Sequence, residues 1–240
     1  MPFSSGKLYV NERHHLLVSP EFDGVTAGWF EPSSWGENAV SVAAGGRGGA
    51  WFIRSGEDEF VLRQYRRGGL VGKWIERTYL YLGLKRTRSF SEYQLTRQLS
   101  SAGLPVPRAV AAMVRRVTCC FYRASIVVER IPGAVNWPDS PEVSKDYLWI
   151  QIGRMIRNFH NWGLDHVDLN CDNILIADGK AYLIDFDRCR RRKYSRSRRW
   201  QTANLQRLKR SVDKRLGDSV GLDVEHLWQQ LLSGYHNGTS

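Results

Sequence analysis

Long apolar runs are missing from this chain: no stretch approaches the roughly 18 residues that a membrane-spanning helix requires, so no transmembrane segment is expected. Its opening, MPFSSGKLYVNERHHLLVSP, lacks the basic stretch, apolar core and small-residue cleavage site of a secretory signal. The expectation is a protein that stays in the cytosol. Cysteine is scarce, with four residues: Cys119 and Cys120 are adjacent, Cys171 and Cys189 isolated. No C-x-x-C spacing exists, which excludes the common cysteine zinc sites and dithiol redox motifs and leaves reduced, partly buried thiols. There is no internal repeat and no long low-complexity linker, so 240 residues make one large domain or two small lobes. Acidic charge is also in deficit. Against 35 Lys and Arg stand 24 Asp and Glu, a net charge of +11. That excess favours a polyanionic partner: nucleic acid, an anionic membrane surface or a phosphorylated substrate.

What is present reads as an ordinary globular chain, 42% hydrophobic and 25% charged. The first half is strand-rich. Asn38 to Ala44 is a short β-prone run, GGRGG (Gly45 to Gly49) a turn, and AWFIR a second strand. SGEDE turns the chain again before FVLRQY (Phe60 to Tyr65), which makes an antiparallel meander. A helix follows in SFSEYQLTRQLSSAG, with Ser89 or Ser91 as cap and Gly103 as its end. Two more strands are expected at Ala109 to Val117 and Cys120 to Ile131, and PGAVNW reads as a hinge. The second half is helical. From Asp146 to Trp162, Leu148, Ile152, Met155, Ile156 and Phe159 recur near helix period, and Gly163 stops the run. Ile174 to Ile176 and Ala181 to Ile184 flank the turn DGK, and further helices are expected around Trp200 to Leu216 and Asp223 to Leu232. A β-rich lobe, residues 1–131, followed by an α-rich lobe, 132–240, is an α+β architecture.

The chemistry concentrates in HVDLNCDNILIADGKAYLIDFDRCRRRKY, His166 to Tyr194. Asp168 and Asn173 lie five residues apart in a loop after a helix, and Asp185 lies just beyond a short hairpin. Carboxylate and amide oxygens on converging loops suit Mg²⁺, a hard cation that takes oxygen ligands together with nucleotide phosphates. A further group must orient and deprotonate an attacking hydroxyl, and phosphoryl transfer asks for little else beyond positioning and charge stabilisation.

This order resembles the protein-kinase signature H-R-D-L-x-x-x-N followed by D-F-G, matched by His166-Val-Asp168-Leu169-x-x-x-Asn173 and by Asp185-Phe186-Asp187. The resemblance implies a two-lobed protein-kinase-like fold with an antiparallel β-rich N-lobe and a reduced α-helical C-lobe. It casts Asp168 as the catalytic base, Asn173 and Asp185 as metal ligands, and ATP with Mg²⁺ as cofactors. It also makes Gly45, Gly46, Gly48 and Gly49 a phosphate-covering lid. In VLR, strand alternation puts Val61 and Arg63 on one face, Val61 for adenine and Arg63 for phosphate oxygens, with Glu92 on the next helix as partner of Arg63. Three departures narrow the implication. Arg63 stands where lysine is usual, Val167 replaces the arginine of H-R-D, and no A-P-E segment follows Asp187. Regulation by a phosphorylated activation loop and a peptide substrate are therefore not expected. Asp187 also replaces the glycine that eases backbone flipping.

Beyond the kinase signature, VLRQYRRGGLVGK (Val61 to Lys73), GLPVPRAVAA (Gly103 to Ala112) and HVDLNCDNILI…LIDFDRCRRR look like the lipopolysaccharide core kinase family, whose members include kinases of 3-deoxy-D-manno-octulosonic acid (Kdo). That resemblance implies ATP- and Mg²⁺-dependent phosphorylation of a Kdo hydroxyl, position 4, on a lipid A precursor. It also implies a peripheral place on the cytoplasmic face of the bacterial inner membrane. The charge pattern agrees. Arg188, Arg190, Arg191, Arg192, Lys193, Arg196, Arg198 and Arg199 begin three residues after Asp185. Arg188, Arg190, Arg191 and Arg192 are the candidates for binding the anionic acceptor. WIERTYLYLGLKRTR (Trp74 to Arg88) mixes aromatics and cations as a lipid-interface segment does, and as ordinary packing also does. Two other classes remain. One is a kinase for a core heptose, an antibiotic or, as in RIO-type kinases, a protein serine. The other is a basic nucleic-acid-binding protein on the same scaffold, against which the missing recognition helix argues. No nucleic-acid partner is expected.

Overall fold

The computed structural model describes residues 6–11, 13–42, 49–66, 78–192 and 198–237. The chain groups into two compact units, Met1–Gln98 with Pro107–Arg130, and Leu99–Val106 with Ile131–Ser240. A single cut at 131/132 would assign Leu99–Val106 to the first half. That segment instead groups with the second unit, where the Leu183 amide donates to the Pro105 carbonyl at 3.0 Å.

The first unit is built on one antiparallel sheet. Its strands are β1 (Lys7–Val10), β2 (His14–Val18), β3 (Ala39–Ser41), β4 (Ala50–Ser55), β5 (Asp58–Gln64) and β6 (Tyr79–Leu80). Helix α1 (Arg88–Ser101) then precedes β7 (Ala109–Arg116) and β8 (Phe121–Glu129). The spatial order is β1-β2-β7-β8-β5-β4-β3, with β6 pairing β8. The meander expected from 38 to 65 is β3-β4-β5, with Gly56 at φ 62° in the tight turn between β4 and β5. Strands β1 and β2 were not foreseen: VNERHHLLV carries charge and histidine where a half-buried strand usually alternates. Alternation on β5 sorts its side chains as expected, Phe60 and Leu62 into the core, Val61 and Arg63 to the other side.

Each sheet face has its own apolar cluster. Leu17, Ala112, Val114, Tyr122 and Ile126 pack with Phe90 and Tyr93 of α1. On the other face Leu16, Met113, Val127, Phe60 and Leu62 pack with Phe30. The serine caps expected for α1 are corrected: Ser89 and Ser91 lie inside the helix. Ser89 is buried and its hydroxyl donates to the Met113 carbonyl at 2.9 Å, while the Ser91 amide donates to the Thr87 carbonyl, so the first turn begins nearer Thr87.

The second unit contains β9 (Val135–Asn136), α2 (Asp146–Trp162), β10 (Leu164–Asp165), β11 (Ile174–Ala177), β12 (Lys180–Leu183), β13 (Arg190–Arg191), α3 (Arg199–Leu216) and α4 (Val224–Asn237). The stretch read as a hinge is corrected from Val135 onward. Val135–Asn136 pairs with β11, and Trp137 is fully buried with its ring 4.6 Å from that of Trp149. The apolar stripe of α2 is buried as its period demands, and Gly163 caps the helix at φ 95°. β11 and β12 form a two-residue hairpin, with Asp178 and Gly179 at φ 47° and 67°. Helices α2 and α4 meet through glycine. A β-carbon on Gly153 would lie 2.0 Å from the Leu231 carbonyl oxygen, and one on Gly234 would lie 2.1 Å from that of Ile150. Among the described residues no helix is long and apolar enough to cross a membrane.

Candidate active site

In the first unit, Arg63 projects from β5 and its guanidinium donates to Glu92 of α1. Glu92 is 5% exposed and also accepts from the Tyr65 hydroxyl, while its backbone carbonyl takes the Thr96 hydroxyl at 2.9 Å. A buried carboxylate is stable only when it is paired and hydrogen-bonded, and Glu92 is both. The Arg63 guanidinium lies 5.2 Å from the centre of the Tyr65 ring, which further fixes its direction. Gly49 is held against β5: the Gln64 amide donates to its carbonyl at 2.7 Å, and a β-carbon there would lie 2.9 Å from the Gln64 carbonyl oxygen. Glycine at this position thus answers to close backbone approach. Gly45, Gly46 and Gly48 lie outside the described residues, as do residues 67–77 with Lys73.

In the second unit, Asp168, Asn173 and Asp185 hang on one hydrogen-bonded frame. The Asn173 side-chain amide donates to the Asp168 carbonyl at 3.0 Å, which turns its Oδ1 away from that backbone. The Ile184 amide donates to the Asn173 carbonyl at 3.0 Å, bringing the residue before Asp185 onto the same loop. His166, 1% exposed, closes the frame: its Nε2 donates to the Ile184 carbonyl at 3.1 Å. Burial, first of all, holds the imidazole below its ordinary pKa, so it is neutral with the proton on Nε2. Asp185 itself sits at φ 63°, a left-handed conformation that Asp tolerates better than most residues. Its neighbours hold it there, since Phe186 is buried with its ring 5.6 Å from that of His166, and the Asp187 amide donates to Asp185 Oδ1 at 3.3 Å.

The donor chemistry fits a hard cation. Asn173 supplies an amide oxygen and Asp185 a carboxylate, both oxygen donors of the kind that Mg²⁺ prefers. Asp168 is exposed and stands at the start of the loop. Among the described residues no group of three or more His, Cys, Asp or Glu is gathered as for a closed structural metal site.

Helix α3, expected as a helix around Trp200 to Leu216, supports this loop through contacts that the sequence did not reveal. Asn204, buried, accepts from the His166 amide at 3.0 Å and donates to Asp165 at 3.1 Å. Arg207 donates to the His166 carbonyl at 3.4 Å, and the Ser211 hydroxyl accepts from the Cys171 amide at 2.9 Å. Arg215 pairs with Asp172 at 3.1 Å. These residues follow at steps of three, four and four, one face of a helix. A polar stripe at helix period was the signal available, overlooked because charged helix residues are usually solvated.

The arginines after Asp187 divide. Arg192 grips buried Asp165 with Nε at 2.9 Å and Nη2 at 2.8 Å, and its amide donates to the Gly163 carbonyl. Arg191 lies 3.9 Å over the Trp162 ring. Both are engaged within the second unit itself. Arg188, at φ 59°, has its guanidinium 3.8 Å from Asp187 and is 72% exposed. Arg190 is exposed on β13, opposite Asp165 in the ladder. Lys193 and Arg196 lie outside the described residues.

Comparison with known proteins adds a family. Residues 33–235 match the model of the lipopolysaccharide kinase (Kdo/WaaP) family. A 3-deoxy-D-manno-octulosonic acid kinase of Xanthomonas campestris pv. campestris is 43% identical over 211 residues, 87% of this chain and 84% of the relative. One of Xylella fastidiosa is 45% identical over 209 residues, 85% and 83% of the two chains. Among solved structures, WaaP in complex with acyl carrier protein is similar at a TM-score of 0.57 and 18% identity, over 96% of this chain and 89% of the other. An aminoglycoside-3'-phosphotransferase of type VIII gives 0.57 and 17%, over 84% and 87%. The α+β architecture is that of protein-kinase-like proteins.

Proposed function

Because this chain belongs to the lipopolysaccharide kinase (Kdo/WaaP) family and is a phosphotransferase, we propose that it carries the γ-phosphoryl group of ATP to a Kdo hydroxyl, at position 4, on a Kdo-lipid A precursor. The observation that supports this reading most is the frame in which Asn173 bonds to Asp168 and Ile184 bonds to Asn173. It ties together the loops that carry the proposed base and the two proposed oxygen ligands. The Asp168 carboxylate accepts the proton of the acceptor hydroxyl as its oxygen bonds to the γ-phosphorus. The bond from that phosphorus to the β–γ bridging oxygen breaks, and ADP leaves. Asn173 and Asp185 are the residues that would hold Mg²⁺, which when bound neutralises charge on the nucleotide phosphates. In the first unit, Arg63, held by Glu92, serves the phosphate oxygens, Val61 the adenine, and Gly45, Gly46, Gly48 and Gly49 the phosphate-covering lid. Arg188 and Arg190 are the acceptor-binding cations held neither by Asp165 nor by the Trp162 ring; Arg191 and Arg192, also exposed, serve the acceptor while bound to those two groups. The acceptor places the enzyme on the cytoplasmic face of the bacterial inner membrane, against anionic lipid.

The test is acceptor dependence. Purified protein with ATP and Mg²⁺ is offered Kdo-lipid A precursor, a heptosylated core, an aminoglycoside, a casein-like protein and RNA, and phosphate transfer is followed by mass. Transfer to the Kdo sugar alone supports the proposal. Transfer to heptose, drug or protein with none to Kdo overturns the acceptor and keeps the phosphotransferase.

A further inference from the structure

The first unit carries a second concentration of charge where β2, β7 and β8 end. An open pocket of about 850 Å³ is lined there by Arg13, His14, His15, Arg115, Arg116 and Arg123, together with residues of the β7–β8 turn. The strand register makes the crowding plain. His14 stands directly opposite Arg115 on β7, and Arg115 directly opposite Arg123 on β8. Arg115 and Arg123 are directly opposed like charges, which destabilise a sheet and call for a compensating anion. Only Glu31 among the described residues supplies one to the row, 3.3 Å from Arg115. The Nε of Arg123 and the Nδ1 of His15 are buried and have no hydrogen-bond partner among the described residues. Burial, then the neighbouring Arg115 and Arg116 respectively, hold His14 and His15 below their ordinary pKa, as a cationic pocket would.

This pocket is separate from the Arg63–Glu92 pair. Arg63 is registered against Ile126, three residues along β8 from Arg123. Three residues put the two arginines on opposite sheet faces and about 10 Å apart along the strand. Its rim is apolar and exposed. Val117 lines the pocket, and Phe121 begins β8 on the face of Arg123 with Leu80 as its cross-strand neighbour. All three are among the large apolar side chains left in solvent. Exposed apolar groups around a nest of cations suit one kind of occupant: a surface with phosphate at the level of the cations and hydrocarbon just beneath.

We propose that this pocket binds the phosphate headgroup of an anionic phospholipid, with Arg13, Arg115 and Arg123 around the phosphate and Leu80, Val117 and Phe121 entering the interface. The inference rests on the contact with anionic membrane included in the function proposed above and gives that contact a place, but it uses no catalytic residue. Its test therefore needs no turnover. Flotation is measured with phosphatidylcholine vesicles and with phosphatidylcholine vesicles containing phosphatidylglycerol. The expected result is binding to the anionic vesicles alone. Arg13→Gln with Arg123→Gln removes two of the cations that line the pocket, and should weaken binding roughly tenfold or more. Val117→Ser with Phe121→Ser, both at exposed sites, should weaken vesicle binding and leave inorganic phosphate binding, read by calorimetry, unchanged. Equal vesicle affinity of the arginine variant and wild type overturns the proposal. Phosphate binding that depends on the arginines without any vesicle binding assigns the pocket to a soluble anion and overturns the lipid. Preference for RNA or an acidic protein over anionic vesicles, lost in the arginine variant, overturns it as well. In each case acceptor phosphorylation is a separate measurement and the catalytic proposal stands or falls by itself.

Discussion

Asp168 is exposed while the residues that hold it, His166 and Leu169, are buried, so its carboxylate can be altered with little loss of packing. Asp168→Asn should lower kcat by roughly 10²–10⁴ with ATP binding retained, the loss typical of a removed general base. Near-normal turnover in that variant would remove Asp168 from its role. His160 offers a different residue-scale test. Its Nδ1 meets the Tyr235 hydroxyl at 2.8 Å, and burial pushes its pKa down from 6.5 to about 4. Between those values the unfolded chain binds a proton that the folded chain refuses. The stability that neutral His160 contributes is therefore complete above pH 6.5 and is lost as pH falls toward 4, by roughly 3 kcal/mol at about 1.4 kcal/mol per pH unit. His166, shifted the same way by burial, adds the same sign. Urea unfolding of wild type and His160→Gln above pH 6.5 and near pH 4 checks this: the variant should start less stable and lose less on acidification.

Among elements, the α2–α4 contact depends most on residues without side chains. Gly153→Ala or Gly234→Ala puts a β-carbon into the partner helix's backbone, and overpacking of that kind costs about 1–3 kcal/mol or more. Chemical denaturation should show it; Ser233→Ala, next to Gly234 and at the same helix end, is the control expected to stay near wild type. The β10–β13 ladder gives a paired test. Arg192→Gln leaves buried Asp165 with only Asn204, and since the Arg192 side chain is 41% exposed, a loss of about 1–3 kcal/mol is expected. Arg190→Gln should leave stability unchanged and raise the acceptor KM. An unchanged KM would withdraw Arg190 from acceptor binding.

These same elements show what the sequence made legible. The α2 stripe, the DG hairpin and the β3-β4-β5 meander were readable because period and turn chemistry act locally, within a few residues. The spacing of Asp168, Asn173 and Asp185 was readable because a hairpin of fixed length links them. The Gly153–Leu231 and Gly234–Ile150 contacts, the α3 stripe under the loop and the Arg192–Asp165 pair were not, since each joins residues 27 to 84 positions apart and looks like an ordinary solvated or helical residue until the chain folds. Charge followed the same divide. A run of arginines reads as one strip, yet in the fold Arg191 lies on Trp162 and Arg192 on Asp165.

For the whole molecule, the net +11 is what remains after many cations have been matched. Arg97 is paired with Glu21, Arg108 with Glu129, Arg130 with Glu59, Arg192 with Asp165 and Arg215 with both Asp139 and Asp172. Such pairs are local and add little to the field at a distance. The unmatched remainder sets that field, and for the acceptor proposed above, an anionic glycolipid, it would act before any specific contact forms. Attraction of this kind acts on encounter, and salt screens it over a Debye length of about 10 Å at 0.1 M. Rising ionic strength should therefore lower kcat/KM for the lipid-linked acceptor through KM while leaving kcat at saturating acceptor nearly constant. Initial rates across a salt series, with acceptor varied at each salt, separate the two. Arg190→Gln and the Arg13, Arg123 variant should each flatten the decline, since each removes charge from the field without touching Asp168. A kcat/KM indifferent to salt in wild type would mean that the positive excess plays no part in acceptor capture, and that contact at short range alone selects the substrate.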